Sequence, residues 1–124
     1  MASNRDIGII GEQEAIKYLK RMGYKIIERN FKTKKGEIDV IAMDNDILSF
    51  IEVKTRKTDK FGLPCESVNL RKQHTMGTVS LIYMAKKGMF NRPCRFDVVE
   101  VYMDGESVKE IRLIKDAFQF RGRF

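Results

Sequence analysis

Along the chain the apolar positions change their spacing in a fixed order, and each change marks an element. Gly8, Gly11, Ala15, Leu19 and Met22 recur at intervals of three and four, which predicts a helix over 6–22. Ser3 or Asn4 can cap that helix and Gly23 stops it. "YKIIERNF" (24–31) predicts a first strand. Residues 37–43 and 47–56 form the two arms of a hairpin, and "FGLP" (61–64) is a loop. A second helix is predicted over 66–86, with Val68, Met76, Val79, Ile82 and Tyr83 turned inward and Gly88 at its C-terminal end. Gly77, inside it, weakens the helical pattern. "RFDVVEVYM" (95–103) is a strand, "DGE" a turn, and "VKEIRLI" (108–114) the returning strand. The order α-β-β-β-α-β-β predicts a single α/β domain over residues 1–124, with a mixed sheet flanked by helices.

The hairpin "GEIDVIAMDNDILSFIEVKTR" (36–56) carries acids in the middle of its apolar arms. If its turn is centred between Asn45 and Asp46, directly opposed residues have numbers that sum to 91. Asp39 then faces Glu52, and Glu37 faces Lys54. Alternation places Glu37, Asp39, Ile41, Phe50, Glu52 and Lys54 on one face. Ile38, Val40, Ala42, Ile51 and Val53 fall on the other, which is predicted to be the core face. Opposed side chains have Cβ atoms about 4.5–5.5 Å apart, where like charges repel. Glu37 and Lys54 can form a cross-strand ion pair. Asp39 and Glu52 coexist only if they are exposed, protonated or bridged by a cation.

A hard divalent ion suits that pair. Magnesium takes oxygen ligands, needs only one or two carboxylates, and keeps positions for water and phosphate. Such a site points to phosphodiester hydrolysis. Lys54, one pleat beyond Glu52, can orient the attacking water or stabilise charge on the phosphate. Glu12 falls on the inward stripe of the first helix and can complete the metal's outer shell. Equally, it can sit in an exposed first turn, where the helix dipole welcomes an acid. The bland alternative for the hairpin is a solvated, charged face.

Composition narrows the partners. The 124 residues are 43% hydrophobic and 33% charged, as in a soluble globular protein. No apolar run is long enough for a membrane span, and the N-terminus lacks the pattern of a signal peptide, so a cytoplasmic protein without a membrane partner is expected. Cys65 and Cys94, without metal-like spacing, are expected as reduced thiols. The formal charge is +7 and the pI is near 9.5, which favours polyanions and nucleic acid first. Basic residues gather in "RNFKTKK", "KTRKTDK" and the tail "RGRF", and Lys34, Lys35, Arg56 and Lys57, with Lys72 on the second helix, are candidate nucleic-acid contacts. Lys72 and Gln73, on the second helix, either face the site or lie on a solvated surface. His74 is expected at the surface, and Asp97 serves either in a buried ion pair or in the site.

Taken together, "GEIDVIA", "FIEVKTR", "RFDVV" and "KDAF" resemble the YraN-type family of small bacterial proteins, with a likeness running from "GEQEA" at 11–15 to "DAF" at 116–118. That family is similar to Holliday junction resolvases of the restriction-endonuclease-like, PD-(D/E)XK superfamily. The resemblance implies that fold and a magnesium-dependent nuclease site, with manganese as a substitute. It implies Asp39 as the signature Asp, Glu52 and Lys54 as the Glu-x-Lys, Glu12 as the helix acid, and the backbone carbonyl of Val53 in the metal shell. Ile38 stands where the superfamily commonly has proline. The expected function is a metal-dependent DNA endonuclease acting on branched or structured DNA, and resolvase-like enzymes tend to be homodimers. The rivals are a non-catalytic nucleic-acid-binding module of the same fold, and an interaction protein whose hairpin charges are merely solvated.

Overall fold

The computed structural model describes residues 3–57 and 68–120. The expected "FGLP" loop, Cys65 and the basic tail lie outside them. The elements are α1 (Asn4–Arg21), β1 (Lys25–Thr33), β2 (Gly36–Asp44), β3 (Ile47–Lys57), α2 (Leu70–Lys87), β4 (Cys94–Asp104) and β5 (Ser107–Phe118). This is the predicted α/β order.

Local chemistry sets the helix ends. Ser3 Oγ accepts from the Asp6 N–H at 3.1 Å, and Asp6 Oδ2 accepts from the Ser3 N–H at 3.3 Å, a capping box that satisfies two otherwise unpaired donors. Asn69 Oδ1 caps α2 by accepting from the Lys72 N–H at 2.8 Å, and Gly88 closes it with a φ of 64°. The second helix thus starts at Leu70 rather than residue 66. Val68, buried as expected, packs from the segment before it.

The five strands lie in chain order. Neighbours run antiparallel except β3 and β4, which are parallel and joined through α2. A parallel pair needs such a crossover, and both of its faces are then covered. Leu48 and Phe50 of β3 and Phe96 and Val98 of β4 pack with Met76, Val79 and Tyr83 of α2. On the opposite face, Ile51, Val99 and Val101 pack with Ala15, Ile16 and Leu19 of α1.

This double cover corrects the expectation of a single core face on the hairpin. Ile41 and Phe50, assigned to the charged side, are fully buried under α2, while Val40, Ala42 and Ile51 are buried under α1. Two positions on the first helix also differ. Ile16 is buried although it stands off the expected stripe, and Met22 is half exposed because the helix has already ended. Gly11 brings α1 close to β3: a Cβ there would lie 2.2 Å from Thr55 Oγ1.

Candidate active site

The hairpin turns through Asn45, whose φ of 56° suits an Asn, and the ladder runs from Asp44↔Ile47 to Val40↔Ile51. Every one of these pairs sums to 91, so the predicted register holds. Asp39 and Glu52 are the next residues on each arm. There a side chain takes over from the ladder: the Val53 N–H donates to Asp39 Oδ2 at 2.8 Å.

Asp39 also marks a break in the facing pattern of β2. Val40 packs on the α1 side, yet Ile38 packs on the α2 side. On β1, the pairs Arg29↔Val40 and Phe31↔Ile38 bracket Asn30, whose φ is 53°. An Asn tolerates this left-handed backbone. The outer end of the β1–β2 ribbon therefore changes face at the residue that reaches toward β3.

Glu52 projects on the α2 side and is 9% exposed. Its Oε2 lies 3.6 Å from Lys72 Nζ. Its Oε1 is buried without a hydrogen-bond partner. Burial pushes the Glu52 carboxyl up to about 7, and the adjacent Asp39 carboxylate adds to the rise, against the opposing charges of Lys72 and Lys54.

A buried, unsatisfied acceptor in a native fold calls for a water, an ion or a proton. Here two carboxylates meet, with only oxygen donors, one of them unsatisfied. This donor set fits a hard divalent cation of the magnesium type, which is content with few protein ligands. Among the described residues, no group of three metal-ligating side chains stands together.

The same geometry makes stability depend on pH. In the unfolded chain Glu52 ionises near 4.5, and in the fold near 7. Between these values the unfolded state binds fewer protons, so stability falls as pH rises and the full penalty is present above 7. That penalty is on the order of 3 kcal/mol. In a chelator, Glu52→Gln is expected to gain stability over the wild type at pH 8 and much less at pH 5. Urea unfolding at the two pH values checks this, and an equal gain at both would contradict the raised Glu52 carboxyl.

The other predicted residues divide. Lys54 is half-buried on the Glu52 face and paired in the sheet with Glu100 of β4. Glu37 is exposed and pairs in the ladder with Lys32 of β1. The expected Glu37–Lys54 pair is not part of the β2–β3 ladder, which ends at Val40↔Ile51. Glu12 is half-buried, and its carboxylate lies 3.8 Å from Arg29. Arg56 donates from Nε to Glu100 Oε2 at 2.8 Å, and Glu100 is fully buried, so this guanidinium is anchored in the scaffold. Lys34, Lys35 and Lys57 are exposed. Lys72 reaches Glu52, whereas Gln73 donates to the Val68 carbonyl at 2.6 Å. His74 is exposed, with its ring edge-on to Phe120.

A second polar cluster was not legible as a whole. Asp97, fully buried, accepts from Ser49 Oγ at 2.6 Å, Arg95 Nε at 2.7 Å, Tyr24 Oη at 2.9 Å and the Asp116 N–H at 2.9 Å. Arg95 also reaches Asp44 Oδ2 at 2.7 Å, and Lys115 lies 3.0 Å from the same oxygen. Of the two roles open to Asp97, the structure gives it the buried ion pair. The only signal in the sequence was an acid set between apolar residues of a strand.

A protein-family model described as "Uncharacterised protein family UPF0102" matches residues 11–101. A UPF0102 protein of Clostridium kluyveri is 48% identical over 117 residues, covering 94% of this chain and 96% of its own. Another from Alkaliphilus metalliredigens is 44% identical over 115 residues, covering 93% and 99%. A third, from Caldicellulosiruptor saccharolyticus, is 44% identical over 117 residues, covering 94% and 99%.

Proposed function

We infer that this chain, which belongs to the uncharacterised protein family UPF0102, is a divalent-metal-dependent endonuclease that hydrolyses phosphodiester bonds in DNA, branched or structured DNA above all. The observation that carries the inference is the buried, unsatisfied Glu52 Oε1 beside Asp39. Asp39, Glu52 and the Val53 carbonyl would hold magnesium or manganese. When bound, the cation supplies a Lewis acid for a phosphoryl oxygen and acidifies water.

The chain's own residues do the rest. Lys54, on the same face as Glu52, offers an ammonium to charge that develops on the phosphate or to the attacking water. The Val53 N–H holds Asp39 in place, which fixes the carboxylate before any ligand arrives. Lys34, Lys35 and Lys57, with the net charge of +7, provide a surface for the phosphate backbone. The likeness of the motifs to resolvases supports this reading, and a cytoplasmic setting and a homodimer go with it. No helix among the described residues is long and apolar enough to cross a membrane.

A non-catalytic nucleic-acid-binding protein of the same fold is the second reading. It is favoured by one observation: Glu12 pairs with Arg29, which leaves two carboxylates rather than three. A labelled panel of duplex, four-way junction, flap and single-stranded DNA in magnesium or manganese separates the two. Cleavage of any member supports the enzyme. Salt-sensitive binding with no cleavage and no bound manganese supports the second reading.

A further inference from the structure

Lys72 occupies an unfavourable place for a cation. It lies in the first turn of α2, at the positive end of the helix dipole, and no acid stands in that turn. Arg71 precedes it and adds like charge. Across the gap, Lys72 Nζ lies 3.6 Å from Glu52 Oε2, with a third of its side chain exposed. The other Glu52 oxygen, Oε1, has no hydrogen-bond partner. Lys72 thus holds one oxygen of the carboxylate and leaves the other open.

We propose that Lys72 is an exchangeable counter-ion: it holds Glu52 before a cation binds, and moves to a substrate phosphate once the cation takes Glu52. The proposal rests on the metal-site reading above. Its reasoning is electrostatic. A divalent cation on Glu52 repels an ammonium only a few ångströms away, so in the free protein Lys72 weakens cation binding. A phosphodiester near the site gives the displaced ammonium a new partner. Cation and nucleic acid then favour each other's binding, and thermodynamic linkage makes the effect reciprocal. The stem of Lys72 is long and the residue partly exposed, so the exchange needs only side-chain rotation.

The test compares the wild type with Lys72→Met and Lys72→Gln, each checked for an unchanged melting temperature. Manganese binding is followed by electron paramagnetic resonance without DNA. Both variants are expected to bind manganese roughly 3- to 10-fold more tightly than the wild type. With calcium present in place of magnesium, both should bind a labelled DNA more weakly, and the log–log salt slope should fall by about one. Unchanged or weaker manganese affinity overturns the proposal. Tighter manganese with unchanged DNA binding overturns the exchange. If the wild type binds no manganese, the metal-site reading fails first and this proposal falls with it. If wild-type binding is lost in Asp39→Asn but unaffected in the Lys72 variants, only the proposal falls.

Discussion

On the endonuclease proposed above, Asp39→Asn and Glu52→Gln are each expected to reduce metal-dependent DNA cleavage by about 10³-fold or more, while leaving the protein folded. The magnitude follows from losing several kcal/mol of charge stabilisation at the phosphate, each 1.36 kcal/mol being a factor of ten. The choice of substitution follows from the local hydrogen bonds. Asp39 Oδ2 receives the Val53 N–H at 2.8 Å, so alanine would strand that donor and confuse a folding defect with a catalytic one. Asparagine keeps an oxygen for Val53 and removes only the charge. Glutamine at 52 removes a buried charge that weakens the fold above neutral pH, so its loss of activity should accompany a gain in stability. A damaged scaffold cannot produce that opposite movement. Lys54→Ala is expected to lose roughly 10²-fold in rate with manganese binding retained, because the role proposed for Lys54 is at the phosphate and not at the cation. Rates from single-turnover cleavage of the best substrate in the panel, alongside manganese titrations, measure all three. Cleavage by Asp39→Asn at the wild-type rate would remove the carboxylate pair from the chemistry.

How much of this site was readable from the sequence depends on the distance between the residues involved. The register of the hairpin followed from the turn alone, because antiparallel pairing has one free parameter and the turn fixes it. Counting outward from Asn45 and Asp46 brought Asp39 to Glu52, and Val40↔Ile51 confirms the count one step short of them. The faces did not follow. Ile41 and Phe50 looked like neighbours of a charged surface, since alternation in one hairpin says nothing about what covers its second face. Only the parallel pairing of β3 with β4, made through α2, buries both sides. The change of face at Asp39 coincides with a left-handed Asn30 in the neighbouring strand, which no periodicity announces. Arg56 shows the same limit. Its hydrogen bond to Glu100, 44 residues away, could not be read from the hairpin. Gly77 looked like a flaw in a helix. It is the place where the Phe120 ring lies, 2.1 Å from where a Cβ would stand.

Asp97→Ala will destabilise the protein by roughly 3–5 kcal/mol, the largest single loss of stability expected here, because it breaks a buried ion pair from one side. The carboxylate gathers donors from across the chain: Tyr24 from just before β1, Ser49 from β3, Arg95 close by on β4 and the Asp116 backbone from β5. Removing it leaves an arginine whose side chain is 14% exposed with Asp44 as its remaining carboxylate partner, and a phenol and a hydroxyl that then lack their acceptor. Burial alone would push the Asp97 carboxyl up. The donors from Arg95, Ser49, Asp116 and Tyr24 outweigh it and hold the group below the usual carboxylate range. Its ionised form therefore stabilises the fold above the unfolded pKa, near 4, and that contribution is lost as pH falls through the lower folded value. The variant should consequently lose Asp97's share of the acid-side slope expected of the wild type in urea unfolding. Tyr24→Phe removes one donor and is expected to cost only about 1 kcal/mol. Combined with Asp97→Ala it should add less than its own value, since both changes strike one network. Asp97 pairs in the sheet with Ile51, the residue before Glu52, so the cluster sets the frame in which the carboxylate pair stands. Its role is in that frame and not in the chemistry. At a temperature where Asp97→Asn is fully folded, manganese affinity and cleavage should match the wild type, whereas a loss of either by the folded variant would bring Asp97 into the site itself.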